Sequence, residues 1–565
     1  MKLSSRVVAA AFLSIASSAA IAQQFDGVPQ QVIVMWRAPI ADAAQPGDAT
    51  RALANASTRL GVGTRTLRKL ATGADVVRLS RRVTEAELKD FVSALAQDAN
   101  VLYAEPDRLL QHTLIPNDTR YNEQWHYFDA TGGLNLTDAW DITTGAGVTV
   151  AVLDTGFRPH ADLAPNIVGG HDFISDSFIA NDGGGRDTNA QDPGDWNTAG
   201  QCPDPNARNS SWHGTHVAGT IAALTNNANG VAGVAFGARV LPVRVLGRCG
   251  GLTSDIADAI VWASGGNVGG VPANANVARV INLSLGGPGA CGATMQNAIN
   301  AAVARGTVVV VSAGNLNQNA ANSTPANCAG VVTVAATNRN GGRAFYSNFG
   351  AVVDVAAPGG DTSVAAANGV LSTLNTGTTT PGADAYAFYQ GTSMAAPHVA
   401  GTAALMLARN PATTPAEIET ILRTTTRAFP ATCTNCGTGI VDARAAASAI
   451  CPVGFTRRTG TLATGASAYY SAPTPKEGTP PFVFALPTTF SGLLSGPATA
   501  NFDLYLEWFP RGSWQVFARS EGPTSIESIE LNASQFSSSF SFRWRVLASG
   551  GSGAFTACTR VVATP

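Results

Sequence analysis

Apolar residues in the middle of the chain fall in short, nearly unbroken runs: Val148 to Leu153, Val240 to Leu246, Val280 to Leu285, Val308 to Val311 and Val331 to Ala335. A strand with one wet face alternates apolar and polar residues, whereas an unbroken run is expected of a strand covered on both faces. Between the runs lie stretches with helical spacing, Thr215 to Leu224, Thr253 to Ala263, Thr294 to Ala304 and Ser393 to Ala408. This alternation predicts an α/β layer, a mostly parallel sheet with helices on both faces. The flanks differ. A strand-like Val32 to Met35 and an amphipathic helix candidate, Thr84 to Ala96, predict a small α+β unit before it. Period-two stretches after it, Asn501 to Trp508 and Ser539 to Leu547, predict a small all-β sandwich. No repeat of fixed period and no G-x-x-x-x-G-K-[ST] loop occurs.

Length and charge sharpen that division. At about 150 residues per domain, 565 residues allow two to four folded units. Charged residues make up only 13% and apolar ones 45%, which excludes intrinsic disorder. The formal net charge of -2 supplies no basic surplus for phosphates, so nucleic acid is excluded as a partner. Residues 23–113 carry 21 charged side chains in 91 positions, against 37 in 337 for residues 114–450. A third segment, 451–565, begins at Cys451 and is soon rich in Pro, Ser and Thr. Ahead of all three, Lys2 and Arg6 precede a short apolar stretch (residues 7–19) and the small-x-small triplet Ala20-Ile21-Ala22. That order reads residues 1–22 as a secretory signal, too short for a span of about 20 apolar residues. A secreted protein without a membrane span is expected, and its eight cysteines then read as disulfides.

Three segments carry chemistry. Val148-Thr-Val-Ala-Val-Leu-Asp-Thr-Gly156 ends a buried strand in Asp154, where α/β folds set ligand or catalytic groups. Alone, Asp154 could equally cap a turn. In His213-Gly-Thr-His-Val-Ala-Gly219 two histidines precede a small-residue helix, but as a metal pair they lack an acidic companion and enough ligands. In Gly391-Thr-Ser-Met-Ala-Ala-Pro-His-Val-Ala-Gly401 Ser393 opens a helix whose first turn is expected to hold Pro397. A serine hydroxyl needs a base, and the imidazolium formed needs a buried anion that fixes its tautomer. Ser393, His213 and Asp154 fit nucleophile, base and anion. His216 and His398 are rival bases, and His398, five residues along the helix from Ser393, is turned away from it.

Together these segments resemble the subtilisin-like serine peptidases: VAVLDTG, HGTHVAG and GTSMAAPHVAG match the Asp, His and Ser motifs of that family, in the same chain order. The resemblance implies a subtilisin-like α/β catalytic domain over residues 114–450. It also implies a serine endopeptidase acting through an acyl-enzyme on Ser393, with His213 rather than His216 as base. Ser312-Ala313-Gly314-Asn315 resembles the family's oxyanion segment, which makes Asn315 the side-chain donor and leaves Ala313 and Gly314 beside the substrate. Ser284-Leu285-Gly286 resembles the stretch that pairs with extended substrate, which implies broad peptide specificity. Residues 23–113 resemble the inhibitory propeptide, an intramolecular chaperone and inhibitor cut off between about Leu109 and Tyr121. Residues 451–565 resemble a prepeptidase-type C-terminal domain that binds substrate or surfaces or is removed.

Catalysis in this class needs no cofactor. The Gly-rich acidic loop containing Asp187, Asp192 and Asp195 suits calcium as a structural ion, with a solvated acidic loop as the equal alternative. Preferred disulfides are Cys202 with Cys249, Cys291 with Cys328, Cys433 with Cys436 and Cys451 with Cys558. The expected partners are protein or peptide substrates and the chain's own propeptide, for a monomer. Two alternatives stay open at this stage: a narrow processing peptidase, and a binding or adhesion protein on an inactive peptidase fold. An α/β-hydrolase esterase would need a G-x-S-x-G elbow and the order Ser, Asp, His, and neither is present as a catalytic set.

Overall fold

The computed structural model describes residues 31–37, 47–81, 83, 85–107, 115–472, 476–477, 484–485, 488–496, 500–509, 513–521, 527–533 and 541–563. The secretory leader read at residues 1–22 and the start of the processing window, Leu109 to Leu114, lie outside them. The chain divides into two compact units, Met1–Leu110 and Gln111–Pro565.

In the first unit four antiparallel strands, β1 (Gln31–Trp36), β2 (Thr64–Lys69), β3 (Asp75–Leu79) and β4 (Val101–Pro106), are ordered β2-β3-β1-β4. Helices α1 (Gly47–Leu60) and α2 (Glu85–Ala96) complete it. Every second residue of β1 is buried, and Val32 and Val34 share a core with Phe91 and Leu95 of α2.

The second unit is built on seven parallel strands: β5 (Thr149–Asp154), β6 (His171–Asp172), β7 (Arg239–Arg244), β8 (Val280–Leu283), β9 (Val308–Ser312), β10 (Val332–Thr337) and β11 (Val355–Pro358). Their order is β11-β10-β9-β8-β5-β7-β6. Both faces are covered, as the unbroken apolar runs require. Val150 and Val152 of β5 face a core shared with α3 (His213–Ala222) and α6 (Thr392–Arg409). Ala151 and Leu153 face one shared with α4 (Thr253–Ala263) and α5 (Ala293–Ala304). The strand order changes direction at β5, so Asp154 ends its strand at the switch point, where crevices open in such sheets. A hairpin, β12 (Val370–Asn375) with β13 (Asp384–Tyr389), packs on α3 and has no counterpart in the sequence expectations.

Three of the boundaries that differ from the sequence reading bear on the site. α3 begins at His213, two residues early, because Trp212 takes a left-handed turn (φ 49°) immediately before it. β8 stops at Leu283, so Ser284 to Gly286 leave the sheet. α6 begins at Thr392, so Pro397 falls in its second turn rather than its first.

Helix α7 (Pro415–Thr424) closes a capping box between Thr414 and Glu417, and α8 (Ala443–Ser448) ends the α/β part. Beyond Cys451 come two four-stranded antiparallel sheets. Phe542, Trp544 and Val546 alternate inward along their strand with half-buried Arg543 and Arg545, and Phe490 from the other sheet joins the same core. Four disulfides join Cys202–Cys249, Cys291–Cys328, Cys433–Cys436 and Cys451–Cys558, the preferred pairs. Among the described residues no helix is long and apolar enough to cross a membrane.

Candidate active site

Asp154 is fully buried at the end of β5, and its Oδ1 accepts the Thr155 N–H at 2.8 Å. His213, the first residue of α3, directs Nδ1 at both of its oxygens, at 2.8 and 2.9 Å. The approach depends on Gly214, since a Cβ there would lie 2.1 Å from the Gly156 carbonyl oxygen. With Nδ1–H donated to a carboxylate, Nε2 is left as the acceptor, the tautomer a general base needs. Burial alone would lower the His213 pKa. The Asp154 charge and hydrogen bond, aided by Asp195 and Asp192, lift it above the ordinary 6.5 instead.

Ser393 lies in the first turn of α6. Its Oγ donates to the Ser284 carbonyl at 3.2 Å, and Ser284 Oγ donates back to the Ser393 carbonyl at 2.8 Å. Among the described residues no hydrogen bond joins Ser393 Oγ to the His213 ring. Such contacts are often long without substrate and tighten on binding. The Ser393 carbonyl is available to Ser284 because Pro397, four residues on, has no N–H to offer it.

Asn315 follows β9 by way of Ala313 and Gly314 and faces the start of α6. Its Oδ1 accepts two bonds at 2.8 Å, from the Thr392 N–H and the Thr392 hydroxyl. Nδ2 is thereby turned outward as a donor, beside the first-turn N–H groups of α6, which have no intrahelical acceptor. Thr392 also takes the Gly314 N–H on its Oγ1 at 3.1 Å. Sequence reasoning missed this residue, although it stands between Gly391 and Ser393 in the Ser motif. Of the substrate-binding candidates, Ala313 is buried, Leu285 accepts the Ser312 hydroxyl on its carbonyl, and Gly286 is exposed.

The rival histidines have other employment. His216 Nε2 donates to the Val370 and Ala387 carbonyls, both at 3.1 Å, and its ring stacks on Tyr389. His398 donates Nδ1–H to the Met394 carbonyl at 2.7 Å, which leaves Nε2 to accept from His126 Nδ1 at 2.8 Å. Burial pushes the pKa of His216 down to about 3 and that of His398 to about 4, so both are neutral.

The carboxylates proposed for calcium are not gathered. Asp187 Oδ1 accepts the Asn189 N–H, Asp192 Oδ1 the Gly194 N–H, and Asp195 both groups of Ser211. Among the described residues no three His, Cys, Asp or Glu side chains form a group fit to hold a metal. Of the acids around the loop, Asp182 and Asp172 of β6 pair with the buried Arg244, while the loop's own Arg186 pairs with Asp255 and Asp258 of α4.

A cleft of about 570 Å³ opens beside His213, walled by Thr155, Asp195, Ser211, Ser284 and the Cys202–Cys249 bridge. The chain has known likenesses. The subtilase family profile matches residues 145–445. An extracellular protease of Xanthomonas campestris is 54% identical over 429 residues, covering 74% of this chain and 73% of the relative. An extracellular basic protease of Dichelobacter nodosus is 41% identical over 77% of this chain and 72% of its own length. Among solved structures, a protease from Pseudoalteromonas arctica is 65% identical, with a TM-score of 0.59, covering 59% of this chain and 99% of that one.

Proposed function

Because the chain belongs to the subtilase family of serine peptidases, hydrolases acting on peptide bonds, we propose that Asp154, His213 and Ser393 form its catalytic triad, with Asn315 as oxyanion donor. The contact of His213 Nδ1 with both Asp154 oxygens carries this reading. Ser393 Oγ leaves the Ser284 carbonyl and attacks the scissile carbonyl carbon, while His213 Nε2 takes the hydroxyl proton. The oxyanion accepts from Asn315 Nδ2 and from the backbone N–H of Ser393. His213 passes the proton to the departing amine, and an acyl-enzyme remains on Ser393. Water, deprotonated by the same nitrogen, then releases the acid product. Asp154 stays ionised throughout and stabilises the imidazolium.

Ser284 to Gly286, outside the sheet, offer main-chain groups to an extended substrate, which supports broad specificity. Residues 23–113 act as chaperone and inhibitor of the α/β part, and the mature protein works as a monomer; its secretion is in line with relatives named extracellular proteases. Calcium is not assigned a site.

Casein digestion by the secreted protein and by Ser393→Ala tests the triad. A fall in kcat of about 10⁶-fold is expected of the variant. Equal digestion by both proteins would refute the assignment.

A further inference from the structure

The cleft beside His213 has one unbalanced charge. Asp204 on its wall is neutralised by Arg208, four residues along. Asp195 has no such cation among the described residues. The Ser211 N–H donates to its Oδ1 at 2.6 Å and the Ser211 hydroxyl to its Oδ2 at 2.7 Å. A carboxylate accepts about four hydrogen bonds, so half of its capacity remains, on a half-buried side chain that lines the cleft. Asp192, three residues earlier, is buried with Oδ2 unpartnered, and burial together with the Asp195 charge pushes its pKa up to about 7, so the cleft's standing negative charge falls to Asp195.

Asp195 is also held in advance. Ser211, its partner, is fixed by the Tyr389 hydroxyl, which donates to the Ser211 carbonyl at 2.9 Å. On either side the Ser210 N–H donates to the Thr378 carbonyl and Trp212 Nε1 to that of Gly377. Ser211 Oγ in turn accepts the His213 N–H at 3.3 Å, which ties the carboxylate to the start of α3. An acceptor fixed in this way loses little entropy on engaging a ligand cation. Asp195 lines the same cleft as His213 and Ser284, so a substrate acylating Ser393 would pass within its reach.

We propose that Asp195 forms a subsite for a cationic side chain, the Lys or Arg at the second residue before the scissile bond. This rests on the triad reading above. Side chains of an extended peptide alternate in direction. The residue acylating Ser393 turns one way, and the residue before it turns its side chain toward His213 and Asp195. The substrate class is thus narrowed from any unfolded peptide to one graded by charge at a single position.

The test is a set of fluorogenic peptides differing only at that residue, as Lys, Arg, Ala or Glu, cleaved by the matured wild type, Asp195→Asn and Asp195→Glu. The readout is the ratio of kcat/KM for Lys over Ala within each protein, which general damage to the fold does not move. A ratio of about five is expected in wild type and in Asp195→Glu, falling toward one in Asp195→Asn and, for wild type, in about 1 M salt. An unchanged ratio in Asp195→Asn, or no preference in wild type, overturns the subsite while leaving the triad intact. Cleavage of these peptides by Ser393→Ala would overturn the triad reading and the subsite with it.

Discussion

Asn315 carries an amide whose two ends differ in chemistry but hardly in shape, and its use depends on which end is tied down. Thr392 does the tying with two donors on one oxygen. Asn315→Ala is expected to lower kcat by about 10²- to 10³-fold with KM little changed, the mark of a donor engaged only in the transition state. Thr392→Val, which deletes one of the two anchors, should lower kcat by about tenfold, and the double variant should be no worse than Asn315→Ala alone. Steady-state kinetics on one peptide measures all three. Multiplicative losses would mean that Thr392 acts elsewhere. At this scale Asp154, His213 and Ser393 were legible because each sits in a contiguous motif with a chemical reason for every neighbour. Thr392 was not, since its role is a bond to a residue 77 positions away. Asp195 was read from its loop as a cation ligand, whereas its bonds run to Ser211 across 16 residues.

Among the elements, α6 bears the closest relation between sequence and site. An internal proline normally costs a helix about 3 kcal/mol because a carbonyl loses its partner. Here the orphaned carbonyl belongs to Ser393, and Ser284 supplies the missing donor. The proline thus couples the backbone of Ser393 to the segment that follows β8. In a Ser393→Ala background, which prevents self-digestion, Ser284→Ala is expected to cost about 1–3 kcal/mol by stranding that carbonyl. With Pro397→Ala added, the restored N–H reaches the carbonyl and the cost of Ser284→Ala should shrink. Calorimetry at one scan rate reads the four midpoints, and an unchanged cost would break the proposed link. The elements themselves were legible to within a residue or two where apolar periodicity was unbroken, as for α4 and α5. The β12–β13 hairpin was missed. Its second strand, Asp384-Ala-Tyr-Ala-Phe-Tyr389, is half-buried and made of alanine and aromatic residues, unlike the buried aliphatic runs that announce the main sheet.

For the molecule as a whole, three buried neutral histidines from three elements meet beneath the site. His126 and His398 share a hydrogen bond, His216 lies on Tyr389, and burial lowers all three pKa values. Below about 6.5 an unfolded chain protonates such residues while the folded one does not, so their contribution to stability falls as pH falls. Asp162 and Asp354, raised by burial to about 6, act with the opposite sign. The histidine share is therefore read as a difference between proteins. His398→Asn should melt below wild type at pH 8, by the loss of a buried partner for His126. Because wild type alone then pays the protonation cost, the gap should narrow as pH falls from about 6.5 toward 4. A gap constant across that range would show that His398 titrates equally in both states.

The bridge between Cys451 and Cys558 closes a loop of 107 residues around the sandwich. Molecules of a peptidase are one another's nearest substrates, and exposed loops are where chains are nicked. A single cut anywhere inside that loop leaves both halves covalently joined, so the nicked appendage stays attached to the α/β part as one particle. Self-inflicted damage there alters the number of chain ends without altering the composition of the molecule.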